Sequence, residues 1–233
     1  MNTHITVKEN RKKLRSLLYV MLCSAIYFLW FFMLEEHVTT NYHIIHVGLD
    51  DYIPFCEYFI VPYLFWFVYV IASWIYFYVT DQDTFNHMSR FLFAGMFISL
   101  FICTIYPNGT DLRPSIDTEK NVFTMLTGMI WGADTPTNVL PSIHVYNSIG
   151  VHIAISHSRR FREDRKAKGL SLMVCILICL STVFLKQHSC ADVLAAGLLS
   201  YTMYQMVYVP VTEAELKGGI GRRRRLITRQ EAD

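Results

Sequence analysis

PSIHVYNSIGVHIAIS, residues 141–156, is the stretch that decides how this chain is built. It is apolar in bulk but carries His144, Asn147 and His152, and hydropathy taken alone would assign it to a membrane surface. Polar groups inside a membrane helix are expensive and normally face a bundle interior or an aqueous cavity. On that reading the segment is a span whose polar side points inward. Around it lie five plainer hydrophobic runs, 17–34, 58–79, 91–106, 170–185 and 193–209, each near the ~20 residues that a helix uses to cross a bilayer. Counting 143–156 with them gives six crossings and an all-α, polytopic membrane helix bundle.

Composition agrees with a bilayer protein. Of 233 residues, 53% are hydrophobic and 17% charged, more apolar than the core of a soluble domain of this length requires. The net charge of +2 conceals three basic blocks, at 8–15, 159–168 and 222–225. Short loops rich in Lys and Arg stay in the cytoplasm, and all three blocks fall on one side of a six-span count, with both termini inside. The outer loops are then 35–57, 107–141 and 186–192. The first, with Glu35, Glu36, Asp50 and Asp51 among apolar residues, is expected to hold a helix lying in the interface. Two spans and their loop (1–88), a four-span bundle (89–211) and a basic tail (212–233) are the expected divisions. The amino terminus lacks the cleavage pattern of a secretory signal. The six cysteines have no CxxC spacing and read as small apolar core residues, although Cys56, Cys103 and Cys190 all fall near the outer boundary, where one disulfide is an open alternative.

Three polar motifs share the outer face in this topology: LRP at 112–114, PSIH at 141–144 and KQHSCAD at 186–192. His188 and Asp192, four residues apart, lie on one face if a helix begins near His188. A carboxylate on one imidazole nitrogen fixes the tautomer and leaves the other a better nucleophile; the same spacing also describes an ordinary ion pair at a helix end. Pro141 suits a first helical turn, where the N–H groups of Ser142, Ile143 and His144 would form an anion cradle and His144 would be placed as a general acid. A capped helix with an incidental histidine is the plainer account of that motif. Arg113, the only arginine in the outer loops, has the planar fork that suits a phosphate group.

Taken in order, the motifs resemble the type-2 phosphatidic acid phosphatase superfamily, which also contains the vanadium-dependent haloperoxidases. Its pattern is Lys-x6-Arg-Pro, then Pro-Ser-Gly-His, then Ser-Arg-x5-His-x3-Asp. Here Arg113, Pro114, Pro141, Ser142, His144, Ser181, His188 and Asp192 match, whereas Tyr106, Ile143 and Thr182 stand at the lysine, glycine and arginine positions. The resemblance covers roughly 89–211. It implies a nucleophilic His188 that forms a phosphohistidine, Asp192 as its orienter, His144 as general acid, and Arg113, Ser142 and the Ile143 amide as phosphate ligands. Lys186, four residues after Thr182 and so one helical turn nearer the nucleophile, is the expected replacement for the missing cations.

The function implied is an integral membrane lipid phosphatase acting on a phosphatidate-like or polyprenyl phosphate at the extracytoplasmic face of the cell membrane. Its expected partners are the bilayer and a lipid phosphate substrate, with no nucleic acid, no cofactor and no metal. Transfer of the phospho-headgroup to inositol, a sugar or a lipid alcohol is the nearest rival. A non-catalytic transporter or scaffold is the rival from another class, favoured by Tyr106 and Thr182. His144, His188 and Asp192 could also suit zinc, but Arg113 and Lys186 beside them would repel a cation.

Overall fold

The computed structural model describes residues 2–210, with side chains from residue 10 onward; the basic block at 222–225 and the tail at 212–233 lie outside the described residues. Among the described residues the chain forms seven α-helices: α1 (Asn2–His37), α2 (Ile60–Thr80), α3 (Gln82–Ile105), α4 (Val122–Ala133), α5 (Ile143–His157), α6 (Arg165–Phe184) and α7 (Cys190–Val207). The all-α expectation holds, and every apolar run has become a helix. Four segments, 10–37, 57–80, 82–105 and 165–184, are long and apolar enough to cross a membrane. α5 and α7 are not among these four: α5 has 15 residues, which at 1.5 Å per residue is about 22 Å.

The surroundings of α5 explain its composition. It packs against α2, α3, α6 and α7, and its buried residues include His144, Tyr146, Asn147, Ser148 and Val151. A helix enclosed by protein needs no lipid-compatible surface, so polar residues are tolerated where neighbouring helices cover them. Two glycines allow the close approach of α3 and α5. A Cβ at Gly95 would run into the Tyr146 ring, and one at Gly150 would lie 2.6 Å from Leu92 Cδ2. Tyr146 stacks on Phe91 at 4.9 Å and donates its hydroxyl to the Phe91 carbonyl at 2.7 Å.

α1 lies along α3 in parallel, with Lys12 beside Asp83 (3.2 Å), Tyr19 against Phe93 (6.1 Å) and Trp30 Nε1 donating to Thr104 Oγ1 (3.0 Å). α2 and α3 are joined by Asp81 alone, which caps α3 by accepting from the Thr84 N–H at 3.1 Å and ties the next loop by accepting from Ser158 Oγ at 3.0 Å.

The long loops gather at the other end. The 38–56 segment contains no α-helix: it has a two-residue strand, His43–Ile44, and a 3-10 turn, Asp50–Tyr52. The expected interfacial helix is therefore not in the first loop. The short apolar helix is α4, in the second loop, and Val122, Met125 and Met129 are exposed on it. The first loop has gone instead into binding the others. His43–Ile44 pairs in parallel with Asn108–Gly109, and His46 touches both Asp51 and Asp111 at 2.9 Å. Asn108, fully buried, accepts from the Val139 and Leu140 N–H groups at 2.9 and 2.8 Å. Together with Ser99, whose hydroxyl donates to the Pro141 carbonyl at 3.0 Å, it fixes the chain just before α5. All six cysteines are free, Cys56, Cys103 and Cys190 included.

Candidate functional site

The site is built on the tight turn between α6 and α7. α6 ends at Phe184, and Lys186 takes a positive φ of 55°. The Gln187 and His188 N–H groups both donate to the Thr182 carbonyl, at 3.0 and 3.1 Å, so the backbone of Thr182, near the end of α6, organises the turn. Ser189 caps α7, and its N–H donates to Asp192 Oδ2 at 2.9 Å. α7 thus begins at Cys190 and not at His188, yet the expected pair still meets: His188 Nδ1 lies 3.3 Å from that same Asp192 oxygen. Asp192 serves two purposes, helix cap and imidazole partner, while its Oδ1 is buried with no hydrogen-bond partner among the described residues.

Orientation of His188 decides what its other nitrogen can do. With Nδ1–H directed to the carboxylate, Nε2 of a neutral imidazole carries a lone pair. That Nε2 faces His144 Nδ1 at 3.4 Å. His144 sits on the first turn of α5 against the rings of Tyr63 and Trp66 on α2, with centroids 4.8 and 4.4 Å away. The two motifs are also joined through backbone, since the Ser142 N–H donates to the Asp192 carbonyl at 3.3 Å. This N–H is therefore engaged, and Ser142, wholly buried, uses its hydroxyl oxygen to accept from the Val145 N–H as an N-cap. The expected cradle of three free amides is reduced to those of Ile143 and His144, whose first-turn position leaves them without an intrahelical acceptor. The Ile143 side chain packs against the core.

Arg113 reaches the same place from the second loop. Its Nη1 donates to the carbonyls of Trp131 and Asp134 at 3.1 and 2.9 Å, and Nη2 to the Thr135 carbonyl at 3.3 Å and to Gln187 Oε1. The guanidinium thus clasps the carboxyl end of α4, where the helix dipole favours a cation, and does not present an open fork. Its Nε and the Nε2 of Gln187 are buried donors with no partner among the described residues. The Arg113–Gln187 contact holds these two donors together, one residue before His188 in sequence, and an anion there would relieve them, because an unpaired buried donor is costly.

Lys186 departs from its expected place. Because α6 stops at Phe184, the argument from one helical turn does not apply, and the ammonium donates to the Asp50 carbonyl at 2.7 Å. None of the phosphate-ligand candidates is among its hydrogen-bond partners in the described residues.

Several residues of the site had no sequence signal. Asp50, in the loop to which no chemistry was assigned, accepts from Ser189 Oγ at 2.5 Å and from the Cys190 N–H at 2.8 Å, clamping the turn that carries His188. Burial acts to raise its carboxyl, but hydrogen bonds from the Cys190 N–H, Ser189 hydroxyl and Val47 N–H outweigh it and hold the pKa below the usual range. Asp134 ends α4 close to Arg113, His188 and Tyr63; burial pushes its carboxyl up, against the pull of Arg113. Gln187 is a neighbour of His188 in sequence, which is the one hint that could have singled it out. Comparison with protein-family models, with curated proteins and with solved structures finds no match to this chain.

Proposed function

We propose that this chain is an integral membrane enzyme that removes a phosphoryl group from a lipid phosphate through a phosphohistidine on His188, as a relative of the type-2 phosphatidic acid phosphatases. The observation that carries the reading is the line His144–His188–Asp192, with contacts of 3.4 and 3.3 Å. The unpartnered donors of Arg113 and of Gln187, the residue before His188, add support. In this reading α1, α2, α3, α5, α6 and α7 all cross the bilayer. The basic segments near residues 8–15 and 159–168 lie in the cytoplasm, and the site opens at the extracytoplasmic face of the cell membrane.

The chemistry follows from the tautomers. A substrate phosphoryl group takes the place of His144 as partner of His188 Nε2. The Nε2 lone pair attacks phosphorus while the bond to the lipid oxygen breaks, and His144, protonated beside the anionic phosphate, gives its proton to the departing alkoxide. Asp192 stabilises the charge that develops on His188. Water then gives a proton to the now neutral His144 and attacks phosphorus, and the P–N bond breaks to return the lone pair to Nε2. Arg113, through Nε or by releasing a carbonyl, together with Gln187 Nε2 and the Ile143 and His144 amides, stabilises the equatorial oxygens. Lys186 contributes from the turn through its hold on the Asp50 segment.

The test is release of inorganic phosphate from phosphatidate or a polyprenyl diphosphate in mixed micelles by the purified full chain, with and without alcohol acceptors. Release that is sensitive to vanadate, insensitive to chelators and lost in His188→Ala is expected. Phosphate release unchanged in His188→Ala would overturn the reading.

A further inference from the structure

At the end of the bundle remote from His188, α1 and α3 enclose a cleft of about 600 Å³, lined by Arg11, Lys12, Arg15 and Ser16 of α1 and by Asn86 and Arg90 of α3. We propose that this cleft binds the phosphate group of an anionic phospholipid. The inference stands apart from the phosphoryl chemistry and does not depend on it.

Helical spacing builds the cleft. Arg11 and Arg15, Lys12 and Ser16, and Asn86 and Arg90 are each four residues apart and so stack along one side of their helix. The parallel register set by Lys12 with Asp83 and by Tyr19 with Phe93 brings the two helices together here. Four of the lining side chains are cations and none is an acid. Asp83 holds Lys12 at 3.2 Å, but among the described residues no carboxylate pairs with Arg11, Arg15 or Arg90. Unrelieved like charges at this spacing repel one another, and a bound anion removes the repulsion.

Arg90 supplies an independent reason. It stands eight residues into α3, a helix apolar and long enough to cross a membrane, so it lies about 12 Å along the axis from the first residue. It immediately precedes the apolar run 91–106, and an arginine bordering such a run needs a polar cavity or a partner to face. Here it faces the cleft. Beyond the cations, the row Arg11–Arg15 continues into exposed Leu18 and Leu22, 54% and 62% accessible. A ligand with an anionic head at Arg15 and Arg90 and a hydrocarbon chain along Leu18 and Leu22 satisfies both parts. A free phosphate satisfies only the first. Basic pockets between membrane helices are suited to lipid headgroups for this reason.

The experiment uses the full chain in phosphatidylcholine bilayers containing spin-labelled phosphatidylglycerol or spin-labelled phosphatidylcholine, and reads the relative association of each lipid with the protein. Wild type is expected to prefer phosphatidylglycerol on the order of ten-fold, decreasing with salt, and Arg15→Gln/Arg90→Gln to fall to within about two-fold of parity. Arg15→Lys/Arg90→Lys should keep most of the preference and reports on the site if the neutral pair does not fold. Arg162→Gln/Lys166→Gln, which changes cations outside the cleft, should keep it too. Parity in wild type, an unchanged preference in Arg15→Gln/Arg90→Gln, a preference indifferent to salt, or equal loss in Arg162→Gln/Lys166→Gln would overturn the proposal. Displacement of the bound phosphatidylglycerol by millimolar inorganic phosphate would overturn the lipid assignment in favour of a free-anion site.

Discussion

His188 and Asp192 illustrate how one side chain can hold both a fold and a tautomer. Asp192 Oδ2 receives the Ser189 N–H at 2.9 Å as a helix cap and His188 Nδ1 at 3.3 Å. Asp192→Asn can keep its single oxygen on both the Ser189 N–H and His188 Nδ1, with its NH2 at the buried Oδ1 position, but it loses the negative charge that stabilises the imidazolium formed when His188 attacks. In a buried His–Asp couple that change lowers turnover by about 10⁴. The expected outcome is phosphate release reduced by three to four orders of magnitude (~10³–10⁴) with thermal stability nearly unchanged, measured by initial rates beside melting in the same detergent. Arg113 is expected to tolerate conservative change poorly, since its fork is held by the carbonyls of Trp131, Asp134 and Thr135. Arg113→Lys cannot reproduce that planar geometry and should cost about 10²–10³ in rate, read as kcat at saturating substrate. The residue identities of this site were legible in the order LRP, PSIH, KQHSCAD. The use of Arg113's Nη groups by α4 was not, because it depends on where a helix in another part of the loop happens to end.

At the scale of elements, the α6–α7 turn is held from outside by the first loop. Asp50 accepts from Ser189 Oγ, the Cys190 N–H and the Val47 N–H, and Lys186 grips the Asp50 carbonyl. Asp50→Ala leaves those donors buried or nearly so, and should destabilise the protein by about 2–4 kcal/mol, whereas the neighbouring exposed Asp51→Ala should change stability by less than about 0.5 kcal/mol. The pH dependence has a definite sign. The folded pKa of Asp50 is lowered, so its contribution is complete above the ordinary carboxylate range and is lost as pH falls through the lowered value. Acid titration of the melting temperature should therefore be steeper in wild type than in Asp50→Asn. The crossing of α3 and α5 gives a second prediction. Gly95→Ala would push into the Tyr146 ring, and a loss of about 1–3 kcal/mol or more is expected. At Gly132 and Gly197 a Cβ meets nothing within 4 Å, and there alanine should be neutral or slightly stabilising in the same melting assay.

For the whole molecule, the proposed six crossings predict sidedness. In sealed vesicles of right-side-out orientation, an impermeant maleimide should label Ser115→Cys above the wild-type background without detergent, and Glu163→Cys only after the membrane is opened. Equal labelling of both from outside would remove α5 as a span and place the basic 159–168 segment on the same face as Arg113. The helical class, the positions of the apolar runs and the meeting of His188 with Asp192 could be read from the sequence, because hydropathy and helical spacing act locally along the chain. That 143–156 becomes a buried central helix was readable only in part: its polar residues pointed to a helix with a side turned inward, but the enclosure that makes them tolerable comes from α2, α3, α6 and α7. The short apolar helix fell in the second loop and not the first, since residues 38–56 are engaged in pairing with 108–109 and in clamping the α6–α7 turn. Lys186, Asp50, Asn108, Gln187 and Asp134 acquired their places only through contacts between segments far apart in sequence. Such contacts are fixed by where helices end and how closely they pack, and no spacing along the chain encodes them.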